Sequence, residues 1–470
     1  MLEPINPKQW DYRLAAHLLN RAGFGGPPDE IERLAKIGFD KAISYFVDFD
    51  RVSDPTPAPA WAKAESEEQW EQRSAARRAA DPKQRSQIDA MRRSQERKNL
   101  SDLLGWWLKR MANGSRPLQE KLTLFWHDHF ATSYEKLENA YLMWLQNETF
   151  RRNAAGNWTR MLEEITVDPA MLVWLDQHTS NKRHPNENYA REVMELFSLG
   201  EGNYTERDVV ETARALTGLA LDKTRQNYVY KPEIHDEGAK TVLGKTGNLD
   251  WQDVLKLIQL QPQSQRFIAG KLWTWFAGVP PSRELTDALA EELRRSANHF
   301  QPMLKVLFSS QEFYSPEVLA AQVKSPVQWL VGTCRVLGRE LPPPDTCDSM
   351  LTSLGQRLFF PPDVNGWVDG PDWITTNNLL DRYNLVERLI LGDPGRKITP
   401  APVAKLFTRA ELADKAAFLA ALERRFFLVP LEDSQKKTLF DFLAARRALD
   451  DATVQQTIRL ALSTPQYQLT

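Results

Sequence analysis

The run from Pro185 to Gly200 constrains the fold more than any other part of the chain. Pro185 and Asn186 precede good helix formers, and Gly200 supplies a left-handed stop, so the run reads as a loop entering a helix. In that helix Asn188, Glu192 and Glu195 fall at i, i+4 and i+7 and form one polar stripe. Val193, Met194, Leu196 and Phe197 occupy the neighbouring faces. An unpaired buried charge is prohibitively costly, so carboxylates beside this much apolar surface must be paired, protonated, metal-bound or turned to water. One resolution is an ion-pair network in which Arg191 holds Glu187 and Glu195 at i±4 spacing. The other draws in His127-Asp128-His129 upstream and His235-Asp236 downstream.

The rest of the chain is mostly helical in pattern. Leu14, Leu18 and Leu19 share a face before the turn at Gly23 to Pro28, and His17 beside that stripe reads as a hydrogen-bonded core histidine. Residues 62–99 are crowded with charged and small residues and read as a solvated helix or helical hairpin broken at Pro82. Leu103 to Met111 resumes apolar periodicity, and Pro117 opens a new helix through Phe130. Asn227 to Pro232 is rich in β formers and is expected to pair with Lys240 to Gly244, leaving His235 to Lys240 in the loop. The expected fold class is mainly α, a multi-helix globular array with a small β-hairpin insertion. Its segments are 1–60, helical; 61–100, charged and solvated; 101–395, the main helical domain with the polar motifs; and 396–470, helical.

Two histidines at i and i+2 of a helix point about 200° apart, so His127 and His129 cannot both chelate one ion unless the helix distorts or ends there. One ligand or base and one orienting histidine is the expected arrangement. Phe359 to Trp373 has too many prolines and glycines for a helix, yet carries several large aromatics. It is expected to be an ordered loop packed on the body and closing a cleft. The 60 basic and 62 acidic side chains leave a formal charge of -2, which argues against nucleic acid as the main partner. Cys334 and Cys347 offer neither a disulfide framework nor zinc spacing. No run approaches the ~18 apolar residues of a membrane span. With no leader pattern at the start, a cytoplasmic location is expected, or a periplasmic or secreted one if a leader was removed.

Several of these motifs occur together elsewhere. His17 to Gly25, Leu124 to Phe130, Pro185 to Gly200, Tyr204 to Gly218, His235 to Gly244 and Pro361 to Gly370 resemble the successive signatures of the bacterial domain of unknown function 1800 family. The resemblance covers about residues 10–390, with Leu219 standing where a tryptophan is expected after Thr-Gly, which puts one local packing contact in question. The family label carries no established activity. By association only, it implies extracytoplasmic work or a protein partner resembling the alkaline phosphatase and sulfatase class.

Two functions are expected to compete. In the first the protein is a metal-dependent enzyme, hydrolytic in type, with no nicotinamide, flavin or haem signature. His127, Glu192, Glu195 and His235 would hold zinc, iron or manganese, because imidazole nitrogen and carboxylate oxygen suit those ions. His127, His235, Asp236 and Glu192 would carry the catalysis, and metal-free acid/base hydrolysis by His235 with a carboxylate is the variant. His129, Asn186, Glu187, Asn188, Arg191, Lys240, Arg357, Asn365 and Trp367 would orient ligands or bind substrate. In the second the protein is a non-enzymatic helical partner or assembly protein, and its polar clusters are structural networks.

Overall fold

A computed structural model describes residues 2–319 and 321–470. The fold class is as expected: helices dominate, and the strands form only two small antiparallel hairpins. Caps explain many of the boundaries. Asp81 accepts from Gln84 N–H and Pro82 takes the first helical position, so the charged segment is a helical hairpin of Glu67–Ala79 and Pro82–Asn113. The second of these helices is mostly exposed before Leu100 and contributes core residues from Leu100 onward.

The strand pairing differs from the expectation. β1 (Leu219–Leu221) pairs with β2 (Tyr228–Tyr230), and β3 (Lys240–Val242) pairs with β4 (Lys245–Gly247). Leu243 and Gly244 both have positive φ, which closes the second hairpin in the tight form that suits strand twist. Leu219-Ala220-Leu221 is a short, wholly buried apolar run, and periodicity alone cannot separate such a strand from a helix end. Leu219, the residue that departs from the family pattern, is fully buried and pairs with Tyr230.

Two hydrophobic cores meet across the Pro117–His129 helix. Leu118, Leu122, Phe125 and Trp126 pack into a core built from the N-terminal helices and the middle of the chain. Leu124 packs into a second core formed by Leu100 to Ala112 with segments from Val327 to Tyr467. Trp275 borders both. A helix buried on all sides must have its polar residues satisfied locally. Glu120 does this by accepting from Arg110, Arg151 and the Trp107 indole at 2.7 to 3.0 Å, a closed network between helices.

Candidate functional site: a cavity between the two cores

A cavity of about 520 Å³ opens where the cores meet. One wall is the Pro117–His129 helix, whose Lys121, Phe125 and Asp128 lie at i, i+4 and i+7 and so share a face. The opposite wall is the Pro262–Ala277 helix, which presents Phe267, Gly270, Lys271, Thr274 and Trp275. The Pro/Gly-rich aromatic loop covers the space with Asn365, Trp367, Asp369 and Trp373, so this loop does close a cleft. Ser325, Gln328 and Gln356 complete the lining near Lys121. A wider surface groove lies beside the charged helical hairpin, but its walls are mainly exposed, and Arg73 and Arg77 there are already paired with Glu65 and Asp89.

The charges in the cavity are arranged unusually. Asp128 is half-buried; its Oδ1 accepts the Trp367 N–H at 2.8 Å, and Oδ2 takes part in no hydrogen bond with the described residues. Burial pushes the Asp128 carboxyl up to about 7, and the nearby Asp369 pushes it the same way. Asp369 is itself raised by burial. Lys271 is lowered by burial although both carboxylates favour its charged form. Among the described residues, neither carboxylate comes within ion-pairing distance of Lys271, whose one hydrogen bond is to Leu196 O at 3.5 Å. Two carboxyls and an ammonium therefore face a common space without neutralising one another directly. His129 donates from Nε2 to Phe197 O at 3.1 Å, because a carbonyl can only accept, and its buried Nδ1 has no partner. Burial holds this ring well below the usual histidine range.

The residues singled out from the sequence fall into four places. His129, Asn365 and Trp367 line the cavity. His127, on the same helix as His129, is enclosed by Trp107, Phe150, Phe359 and Trp367. Its Nε2 accepts the Phe359 N–H at 3.1 Å, and burial lowers it to about 3, so it is a neutral pin between helix and loop. Around the Glu187–Glu195 helix, Asn186 caps the N-terminus, and Glu187 and Asn188 are exposed. Arg191 forms a bidentate pair with Glu206 and a longer contact with Glu187, while Glu195 accepts from Tyr204 O–H at 2.6 Å. Glu192 is raised by burial and by Glu195. At the hairpins His235 donates from Nδ1 to Thr217 O at 2.7 Å, Asp236 pairs with Arg214, and Lys240 donates to Asn248. Arg357 is clasped by Asp348 and stacked on Phe360.

The expected metal set is thus dispersed. Among the described residues, no three His, Cys, Asp or Glu side chains stand close enough to hold one ion, so His127, Glu192, Glu195 and His235 do not form a shared ligand shell. The reason is local: the lone pair at His127 Nε2 is taken by a backbone N–H, and His235 is held by Thr217. The sequence brings Asp128 forward only as part of His127-Asp128-His129, without a role of its own, and gives no role to Lys121, Lys271 or Asp369. A signal for Lys121 and Asp128 was present in the i, i+4, i+7 spacing of Lys121, Phe125 and Asp128 on a helix with no solvent-facing stripe.

The fold and cavity define a mainly helical protein with a charged, aromatic-walled internal site. A family model described as "Protein of unknown function (DUF1800)" matches residues 17–469, so the chain belongs to that family. Searches among curated proteins and among solved structures found no match. Among the described residues, no helix is long and apolar enough to cross a membrane.

Proposed function

We propose that the protein is a hydrolytic acid/base enzyme acting on a small molecule held in this cavity, with Asp128 as the proton-transferring group. The observation that supports it is the Asp128 carboxyl: one oxygen is fixed by Trp367 N–H, and the other is unbonded beside an ammonium and a second carboxyl. A carboxyl with a midpoint of about 7 exists in both forms near neutrality. Protonated, it donates to a leaving group; ionised, it takes a proton from water. Lys271 supplies positive charge to an oxyanion developing between the two helices. The aromatic walls place apolar surface beside these groups, which strengthens each of these interactions.

The residues expected to bind a metal do not fit one as a group, so the reading routes no step through an ion. A purely structural role suits the Glu120 network, where each charge has its partner. The cavity charges lack such closure, and that difference favours chemistry over scaffolding.

The test is turnover of chromogenic esters, amides, phosphates and glycosides by the purified protein and by Asp128→Asn. The expected result is one substrate class turned over by the wild type and slowed by about a hundredfold or more in the variant. Equal rates in the two proteins would refute the assignment.

A further inference from the structure

We propose that the end of the cavity at Lys121 is an anchor for a carboxylate, so that the substrate is a small molecule with a carboxylate at one end and an apolar body. The inference rests on the cavity being the substrate site, and it specifies what enters. Lys121 is 2% exposed and lines the cavity, yet its Nζ donates only to Gln328 Oε1, at 2.7 Å, and among the described residues no carboxylate pairs with it; burial and the nearby Arg21 hold the amine well below the usual lysine range. Gln328 cannot turn away, because its Nε2 donates to Asn20 O at 3.0 Å. Neutral donors converge on the same end. Gln356 is 1% exposed, and its Oε1 accepts from Val327 N–H while its Nε2 makes no hydrogen bond to the described residues. Ser325 Oγ accepts from Gln328 N–H, leaving its own hydrogen available.

Ser325 also caps the 11-residue Pro326–Val336 helix, whose N-terminal dipole adds positive potential. A buried amine with no counter-charge, set beside unused donors, regains its charged form when an anion enters, so the site is complementary to an anion. One ammonium with two neutral donors matches the two oxygens and single charge of a carboxylate better than a phosphate dianion. Seven residues of helix separate Lys121 from Asp128 by about 10 Å. Phe125 and Trp275 line the cavity along with them, so the apolar body lies against rings while its reacting bond reaches Asp128.

The experiment is calorimetric titration of the whole chain with benzoate and with benzyl alcohol, which differ little in size but differ in charge. Benzoate is expected to bind about tenfold or more tightly than benzyl alcohol, and Lys121→Met is expected to abolish that preference. Equal binding of the two probes by the wild type, or a preference that survives in Lys121→Met, overturns the proposal. If Lys121→Met does not fold, hydrogen exchange on the wild type decides. Protection by benzoate over residues 117–129 and 325–328 supports the anchor, and protection confined to other segments refutes it. Asp128→Asn separates the two claims: it should keep the benzoate preference while losing turnover. Turnover that ignores Asp128 would remove the acid/base reading and leave the anchor standing.

Discussion

Gly366 lies directly against Asp128: a Cβ on Gly366 would stand 2.7 Å from the Asp128 carbonyl oxygen and closer still to its carboxyl. Its φ of +87° is also one that side chains rarely adopt. The absence of a side chain lets the next residue, Trp367, bring its N–H onto Asp128 Oδ1. Gly366→Ala should therefore push the loop off the carboxyl. The expected cost is about 1–3 kcal/mol of stability, with activity falling more than stability predicts, because the proton-transferring group loses its fixed oxygen. Parallel urea denaturation and rate measurements check this.

Asp128 should also leave a mark on the pH dependence of folding. Its folded-state midpoint of about 7 lies above the unfolded value of about 3.9. Its contribution is therefore complete below about pH 4 and is lost as pH rises towards and through 7. Asp128→Asn keeps an acceptor for Trp367 N–H and has no charge to bury. Relative to wild type it should gain on the order of 2–4 kcal/mol above pH 7, and the gain should vanish near pH 4. Denaturation curves at several pH values measure the difference.

The Glu120 network makes the opposite kind of prediction. Glu120→Gln leaves Arg110 and Arg151 buried without the carboxylate they share. Breaking one partner of a buried network costs about 3–5 kcal/mol, so the variant should unfold at markedly lower urea.

His127→Ala should behave as a core mutation. The ring fills an aromatic cage and satisfies Phe359 N–H, so its loss should cost about 2–4 kcal/mol. The pH at which activity changes should stay where it is in the wild type, because His127 is neutral and outside the cavity lining.

Much of the fold was legible because local signals agree with it. Pro117 opens its helix as expected, Pro82 breaks the charged hairpin, and the loop rich in proline, glycine and tryptophan covers a cleft. The site was less legible. His127 and His129 are chemically versatile side chains, but burial leaves His127 a neutral packing group. Asp128, between them, faces the cavity and takes its character from Gly366, Trp367, Lys271 and Asp369, which lie more than a hundred residues away in sequence. Local periodicity carries no information about that encounter. The hairpin pairing failed for a related reason: Leu219 to Leu221 contains nothing except apolar residues, so nothing in it marks a strand.

Acid/base chemistry in this cavity depends most on the proton at Asp128. Carboxyl carbon resonances of protein labelled at aspartate, assigned by comparison with Asp128→Asn and followed across pH, measure it directly. A midpoint of about 7 for Asp128 is the predicted result. A midpoint near the ordinary aspartate value of about 3.9 would contradict it, because the group would then carry no proton to give at neutral pH.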